Sequence, residues 1–306
     1  MTKLFKAAAA VAAMGIAAPA LAQDIIVVSH GQANDPFWSV VKNGVDLAAE
    51  HTGANVDYRA PETFDMVAMS QLIDAAVNQE PDGLVVSIPD GDALGPSIER
   101  AVAAGIPVIS MNSGSDVAGD LGAALHVGQS ERDAGVAAGE KLAEMGGTSA
   151  ICVNHEVGNV ALDLRCEGFA EGFGGAVEVV PTGNDPAEIE SKVSAALASN
   201  EDVDTVMALG ASLAGEPAVA AANASGRDVM VATFDLSANF LQSIVDGEAA
   251  FAIDQQQFLQ GYLPVVFLAN NANYGLMPGG DVASGPNLVT QDKAGQAIEL
   301  SAQGIR

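Results

Sequence analysis

Polar and aromatic side chains follow several short apolar runs of this sequence, and their types suit the binding of a small molecule. These residues are Asn34, Phe37, Trp38, Ser87, Asn112, Asp235 and Gln255. Amide and carboxylate groups pair well with sugar hydroxyls, which both donate and accept hydrogen bonds. The apolar face of a sugar ring stacks on aromatic rings. The mixture therefore indicates a site for a polyhydroxylated compound such as a carbohydrate.

Some of these residues have a second interpretation. Phe37 and Trp38 would also suit the first turn of a helix that packs on a sheet, where they would be core residues. His30, in the same loop, is either a further binding group or a solvated loop residue. The residue types alone leave both interpretations open.

The elements that must position these side chains alternate between strand and helix. Strand-like runs begin near residues 25, 84 and 108, and again near 151, 206 and 230, so that the spacings are 59 and 24 residues and then 55 and 24. Helix-like segments separate the runs. This repeat predicts an α/β protein with two similar lobes, each a parallel sheet sandwiched by helices. Ligands bind beyond the carboxyl ends of such strands.

One helix start is especially well marked. Asp35 is a good N-cap residue, and Pro36 fits the first helical position because proline has no N–H to leave unpaired. Apolar residues continue at helical spacing, and Gly53 marks the end. A helix over about 36–52 is therefore predicted.

The first 22 residues have the pattern of a secretory signal peptide. Lys3 and Lys6 precede a small apolar run that ends in Ala20 and Ala22, which fits signal-peptidase cleavage after residue 22. We therefore expect export to the periplasm and a mature chain that begins at residue 23.

The charge of the chain excludes a nucleic-acid binder. The formal net charge is -27, with only 12 Lys and Arg residues against 39 Asp and Glu. Contacts to phosphates require basic residues.

Only two cysteines are present, Cys152 and Cys166. In an oxidising compartment a disulfide between them is plausible; the alternative is a pair of buried free thiols. No metal-ligand spacing accompanies them, and no metal site is expected.

An exported enzyme is the main alternative class to a binding protein. The sequence has no nucleophile elbow, zinc-protease motif, phosphate loop or dinucleotide fingerprint. Glu156 and Asp235 could form a carboxylate pair, but nothing else in the sequence supports catalysis. We therefore expect no enzyme activity.

Five motifs in order resemble type I periplasmic binding proteins of the ribose/galactose-binding family, which serve sugar ABC transporters. The motifs are Asn-Asp-Pro-Phe-Trp at 34–38, Pro-Val-Ile leading to Asn at 107–112, Arg-Cys-Glu-Gly-Phe at 165–169, Phe-Asp at 234–235, and Gln255. The resemblance covers essentially the whole mature chain.

The resemblance implies two lobes joined by a hinge of several crossings, with a role for each matching residue. The aromatic pair would border a sugar ring, Asn34 and Gln255 would each bond a hydroxyl, Arg165 would fork onto the ring oxygen or nearby hydroxyls, and Asp235 would accept from two hydroxyls. The implied lobes are residues 23–128 plus 257–285 and residues 129–255 plus 286–306. A monomer that delivers its ligand to an ABC permease, without a cofactor, is expected; a sensory receptor subunit is the alternative.

Three positions depart from the ribose binders of this family. Asn112-Ser113 replaces an Asp-Arg pair, Ser87 replaces an Asn, and Gly210 has no side chain at a polar position. These departures disfavour ribose itself. Other pentoses, hexoses, inositol-like polyols and nucleosides stay open.

Overall fold

The computed structural model describes residues 22–31 and 35–306. The predicted signal peptide, apart from its last residue, and Asn34 lie outside the described residues. Within the described part of the chain, no helix is both long enough and apolar enough to cross a membrane.

The first of two six-stranded sheets is entirely parallel. Its strands are β1 (Asp24–Val28), β2 (Asn55–Arg59), β3 (Gly83–Val86), β4 (Val108–Asn112), β5 (Leu125–Gly128) and β11 (Val282–Ala283). The spatial order is β11-β5-β4-β3-β1-β2. We call this sheet and its helices the first lobe.

The second sheet repeats the same plan with one reversed edge. Its strands are β6 (Ser149–Asn154), β7 (Ala176–Pro181), β8 (Thr205–Ala208), β9 (Met230–Phe234), β10 (Phe251–Asp254) and β12 (Asn287–Val289). The order is β12-β10-β9-β8-β6-β7, and only β12 is antiparallel to its neighbour. We call this sheet and its helices the second lobe; the predicted α/β fold class is confirmed.

Helices cover both faces of each sheet. They are α1 (Pro36–Thr52), α2 (Met66–Val77), α3 (Gly91–Ala103), α4 (Glu131–Glu144), α5 (Val160–Phe173), α6 (Pro186–Ser199), α7 (Glu216–Ser225), α8 (Ala238–Asp246), α9 (Gln257–Tyr274) and α10 (Gln291–Ser301). In the first lobe α1 and α9 cover one face and α2 and α3 the other. In the second lobe α4 and α5 cover one face, with α6, α7, α8 and α10 opposite.

The predicted boundaries of α1 are confirmed. Asp35 accepts a hydrogen bond from the Phe37 backbone N–H, Pro36 occupies the first turn, and Gly53 ends the helix with a left-handed φ of 73°. Glycine adopts this conformation without a Cβ clash, which is why the helix ends here.

Four elements had no prediction from the sequence. They are β5, β11, α4 and α10. β5 has only four residues, one of them His126, and α4 is rich in Gly, Ala and charged residues, so neither presents a strong apolar period. A π-helical turn, Ala211–Gly215, also precedes α7 where a regular helix was expected.

The chain passes between the two sheets three times. The crossings follow β5, β10 and β11, at residues 129–130, 255–256 and 284–286. All three lie close together: a Cβ built on Gly285 would lie 2.7 Å from Gln129 Oε1 and 3.0 Å from Gln255 Cα. The exact lobe boundaries given above remain a prediction.

The two cysteines form a disulfide in the second lobe. Cys152 on β6 is bonded to Cys166 on α5. Both residues are buried in the core between the sheet and α4 and α5. The bond therefore links the sheet to α5, the helix that also contains Arg165.

Candidate functional site

A cavity lies between the lobes, at the carboxyl ends of both sheets. The space between its walls, open solvent included, is about 380 Å³. Its lining includes His30, Asp35, Phe37, Trp38, Asn112, His155, Glu156, Asn159, Ala161, Leu162, Arg165, Leu209, Asp235 and Gln255. Six predicted site residues therefore line one cavity: Phe37, Trp38, Asn112, Arg165, Asp235 and Gln255.

The first lobe supplies an aromatic wall. Trp38 is only 6% exposed and belongs to the core beneath α1 and α9, yet it also borders the cavity. Its ring meets Phe37 edge-on at 5.2 Å and His30 at 4.7 Å between centroids. The core interpretation and the binding interpretation of Trp38 are thus compatible.

Ser87 does not line this cavity. It is fully buried at the end of β3, where its hydroxyl lies 2.8 Å from His30 Nδ1 and accepts a hydrogen bond from the His30 backbone N–H. His30 therefore stands between Ser87 and the cavity. Ser87 holds His30 in the structure, and its predicted direct contact with ligand stays a prediction.

The second lobe supplies a buried ion pair. Arg165 on α5 donates to Glu131 on α4 from Nε at 2.5 Å and from Nη2 at 3.1 Å, and from Nη1 to Leu209 O at 3.3 Å. Its guanidinium also lies 4.5 Å from the ring centre of Phe234. The fork predicted for a ligand is thus occupied by Glu131, and two N–H groups of Arg165 remain for the cavity.

The hinge carries a network of amides. Asn112 donates from Nδ2 to Gln255 Oε1 and Gln260 Oε1, each at 3.2 Å. Gln260 in turn donates from Nε2 to Gln255 Oε1 and Ser284 Oγ, each at 3.0 Å. Gln255 donates from Nε2 to Asp235 Oδ1 at 2.5 Å. Two of the crossings are therefore bonded to the cavity wall, and Gln255 orients Asp235.

Asn112 and Asp235 share an unusual backbone. Their φ angles are 64° and 69°, in the left-handed region that disfavours side chains with a Cβ. Asn and Asp tolerate this region best. Each residue comes at the end of a corresponding central strand, β4 or β9. Such strain is typical of sites where side-chain direction matters.

Three carboxylates in the cavity ionise less readily than usual. Burial raises the pKa of Asp235 to about 7, although Arg165 and the Gln255 hydrogen bond oppose the rise. Burial likewise raises the pKa of Glu156 to about 7, with repulsion from Asp35 and Asp235 adding to it. The pKa of Asp35 is raised to about 6 by burial.

Two histidines in the cavity stay neutral at pH 7. Burial, with repulsion from Arg165, lowers the pKa of His30 to about 3 and that of His155 to about 4. His155 Nδ1 is buried and has no hydrogen-bond partner among residues 22–31 and 35–306. A Cβ on Gly210 would lie 2.8 Å from His155 Cε1, so the missing side chain at 210 makes room for this ring.

His155, Glu156 and Asp35 were not in the predicted site. Asp35 was interpreted as a helix cap within the 34–38 motif, and it serves as a cap while also bordering the cavity. His155 and Glu156 follow β6 just as His30 follows β1. The signal that could have found them was this repeat, because residues after corresponding strands face the same crevice.

The two lobes are bonded to each other at the rim of the cavity. The Val160 N–H at the start of α5 donates to Pro89 O, after β3, at 2.9 Å. His30 Nε2 and Glu156 Oε2 also lie 3.8 Å apart across the cavity. The structure is therefore the closed arrangement of the two lobes.

This chemistry suits binding. The walls offer aromatic faces, amides and carboxylates to one small enclosed space. In the described part of the chain, no group of three or more His, Cys, Asp or Glu side chains is arranged to hold a metal ion.

The family profile described as periplasmic binding protein domain matches residues 25–275. This chain belongs to that family. The matched segment contains both walls of the cavity and two of the three crossings. The family assignment agrees with the two-sheet architecture, so the resemblance drawn from the five motifs is confirmed.

Related periplasmic binding proteins carry names that refer to sugars and polyols. A carbohydrate transporter from Acidothermus cellulolyticus, solved in complex with myo-inositol, is 32% identical and superposes with a TM-score of 0.89, covering 94% of this chain and all of that one. The ribose import binding protein of Salmonella typhimurium is 26% identical over 83% of this chain and 87% of its own length. A xylose/arabinose-binding protein of Sulfolobus acidocaldarius is 26% identical over 79% of this chain, which spans only 64% of that protein.

Proposed function

We propose that this protein is a periplasmic solute-binding protein that captures a sugar or sugar-like polyol in the cavity between its lobes and delivers it to an ABC permease. The observation that supports this proposal most directly is that two groups from different lobes line the same cavity: the aromatic wall around Trp38 and the carboxylate of Asp235. A ligand that touches both walls binds the closed form better than the open form and so shifts the hinge equilibrium.

The geometry of the cavity supports the following contacts. Phe37 and Trp38 border the ring of the ligand, Asp235 accepts from its hydroxyls, and Arg165 donates through its remaining N–H groups. Gln255 acts mainly by orienting Asp235. Asn34 is also proposed as a ligand-binding residue, and it lies outside the described residues. A cyclitol deserves equal weight with a simple sugar, because the 32%-identical relative was solved with myo-inositol.

We also propose the location, oligomeric state and lobe boundaries of the protein. Residues 1–22 direct export, and the protein acts as a periplasmic monomer without enzymatic activity. The lobes are residues 23–128 plus 257–285 and residues 129–255 plus 286–306.

Isothermal titration of the mature protein with pentoses, hexoses, inositols and nucleosides tests the function. We expect a dissociation constant of about 1 µM or below for at least one sugar or polyol, equivalent to about -8 kcal/mol. The absence of binding across the sugars and polyols would refute the assignment.

A further inference from the structure

The cavity holds more negative than positive charge. Asp35, Glu156 and Asp235 all line it, whereas Arg165 is the single Arg or Lys among its described lining residues. Arg165 makes its ion pair with Glu131 and not with any of these three. Among the described residues, no Lys or Arg forms an ion pair with the acid cluster, by which we mean Asp35, Glu156 and Asp235; Arg165 attracts Glu156 and Asp235 only from beyond ion-pair distance.

The histidines do not supply the missing charge. His30 and His155 are buried and their pKa values are lowered to about 3 and 4, so both rings are neutral at pH 7. Burying a charge without a partner is costly. The raised pKa values of the acid cluster are the direct consequence.

Each carboxylate of the cluster also keeps a free acceptor. One oxygen is bonded: Asp35 Oδ1 to the Phe37 N–H, Glu156 Oε2 to Asn159 Nδ2, and Asp235 Oδ1 to Gln255 Nε2. The second oxygen of each has no hydrogen bond to the described residues. The cavity therefore offers its ligand a surplus of carboxylate acceptors, and His155 Nδ1 is a further buried group there without a hydrogen-bond partner among the described residues.

Ligand groups differ in the number of hydrogen-bond donors that they bring to these free acceptors. A hydroxyl brings one donor but also lone pairs that require donors in return, whereas an ammonium group brings three donors, no acceptor and a positive charge. Hydrogen bonds between charged groups are about twice as strong as those between neutral ones.

We propose that the cavity prefers an amino-substituted polyol, an amino sugar or amino cyclitol in its ammonium form, to the corresponding ligand that carries only hydroxyls. The proposal rests on the proposed function, since the ring and hydroxyls bind as described above. It adds that the acid cluster receives an ammonium group. Compounds of this class have the size of a single sugar ring and one positive charge.

Matched ligand pairs test the proposal by isothermal titration at pH 7. The pairs are glucose and glucosamine, galactose and galactosamine, and myo-inositol and an amino-deoxy-inositol, each with its N-acetyl derivative as a neutral control of larger size. In at least one pair we expect the amine to bind about tenfold more tightly or better, which corresponds to one extra charge-assisted hydrogen bond. Acetylation should abolish this gain.

Variants locate the effect. Glu156→Gln and Asp235→Asn each remove one charge with little change of shape, and each should shrink the preference for the amine at least threefold. Asp202→Asn, on an exposed turn of the second lobe, removes the same charge outside the cavity and should leave the preference unchanged. Thermal melting of every variant checks that it is folded.

The pH dependence of the preference for the amine gives a second test. It would not be seen if the acid cluster only stabilised the fold. The titratable groups that line this cavity are His30, Asp35, His155, Glu156, Arg165 and Asp235, and Glu131 is paired with Arg165. From pH 7 to pH 5 the acid cluster takes up protons while the ligand amine stays charged, so the preference should fall.

The outcomes are distinguishable. If a neutral polyol binds and its amine binds no better in every pair, this inference is wrong and the proposed function stands. If the amine gain persists in both cavity variants, the acid cluster is not its cause and the inference also fails. If no ligand of any pair binds, the proposed function fails together with the inference.

Discussion

The two lobes have nearly the same scaffold but opposite chemistry at the cavity. Counted from the helix caps Asp35 and Asn159, α1 places Phe37 and Trp38 where α5 places Ala161 and Leu162. All four line the cavity. The aromatic wall thus belongs to the first lobe alone, and topology does not decide which groups meet the ligand.

A second difference lies one turn further along the same helices. The sixth residue after the cap is Val41 in α1 and Arg165 in α5. Val41 is a core residue, whereas Arg165 forms a buried ion pair with Glu131. At this position the second lobe therefore has a buried ion pair where the first lobe has apolar packing.

Arg165→Met should have the largest effect on stability. It leaves Glu131, which is 2% exposed, without its partner, and we expect a loss of about 3–5 kcal/mol in the free energy of unfolding. Urea denaturation measures the loss. The double variant with Glu131→Gln should recover part of it.

Arg132→Met is the matched control for that experiment. Arg132 lies on α4 and pairs with Glu167 and Glu171 at the surface. Exposed pairs contribute little. An equal loss in both variants would contradict a special role for the buried pair.

Glycine-to-alanine changes should affect both lobes alike. A Cβ on Gly44 of α1 would lie 2.1 Å from Phe258 O of α9, and a Cβ on Gly168 of α5 would lie 2.1 Å from Arg132 O of α4. Both glycines are nine residues after their caps. We expect Gly44→Ala and Gly168→Ala each to lose about 1–3 kcal/mol of unfolding free energy, because the helices must move apart.

Gly295→Ala on α10 is the control for these two variants, because no atom lies within 4 Å of its added Cβ. It should be neutral or slightly stabilising, since Ala has the higher helix propensity. Thermal or urea unfolding compares the three. A loss in one lobe only would show that the helix pairs are not equivalent.

Asp235→Asn should stabilise the ligand-free protein increasingly as pH rises. The pKa of Asp235 is raised to about 7 in the folded protein, above its ordinary value of 3.8, so the unfolded chain gives up this proton first. The raised pKa contributes to the free energy of unfolding of wild type below about pH 4. Wild type loses that contribution between about pH 4 and pH 7, whereas the variant, which has no carboxylate at this position, does not. We expect a difference of about 1–3 kcal/mol by pH 8.

The difference between variant and wild type is the quantity to follow in that experiment. His30 and His155 have lowered pKa values and change the stability of both proteins in the opposite direction over part of the same range. Thermal melting at several pH values gives the difference. A constant difference from pH 4 to pH 8 would contradict the raised pKa.

Val160→Pro should have the smallest effect. It gives α5 the proline that α1 already has at its first position, Pro36, and it removes the N–H that donates to Pro89 O across the rim. Asn159 has the extended backbone that a following proline requires. Losing one hydrogen bond of about 0.5–1.5 kcal/mol from the closed form should weaken ligand binding about threefold to tenfold.

Val160→Ala keeps the N–H and is the control for this change. Titration with whichever sugar or polyol binds measures both variants. Equal affinities in the proline variant and in wild type would show that the rim contact does not favour closure.

Much of this molecule could be predicted from patterns within short segments. The paired strand spacings predicted two α/β lobes, and the Asp35-Pro36 and Gly53 signals predicted α1. The position of ligand groups after strand ends follows from parallel-sheet geometry.

What could not be predicted depends on contacts distant in sequence. Glu131 reaches Arg165, 34 residues away, only because α4 packs on α5. Ser87 faces His30, 57 residues away, and no local pattern predicts this contact. The pKa values of the acid cluster likewise depend on burial and on repulsion between both lobes, which no local pattern encodes.

Fluorescence titration most directly tests the claim that a polyol binds between Trp38 and Asp235, because Trp38 is the single tryptophan of the chain. Adding the sugars, cyclitols and their amines described above should produce a saturable change in Trp38 emission with at least one of them. Asp235→Ala should abolish that change or shift it to at least tenfold higher concentration. Calorimetric binding of such a ligand without any change in Trp38 emission, or with undiminished affinity in Asp235→Ala, would contradict the account.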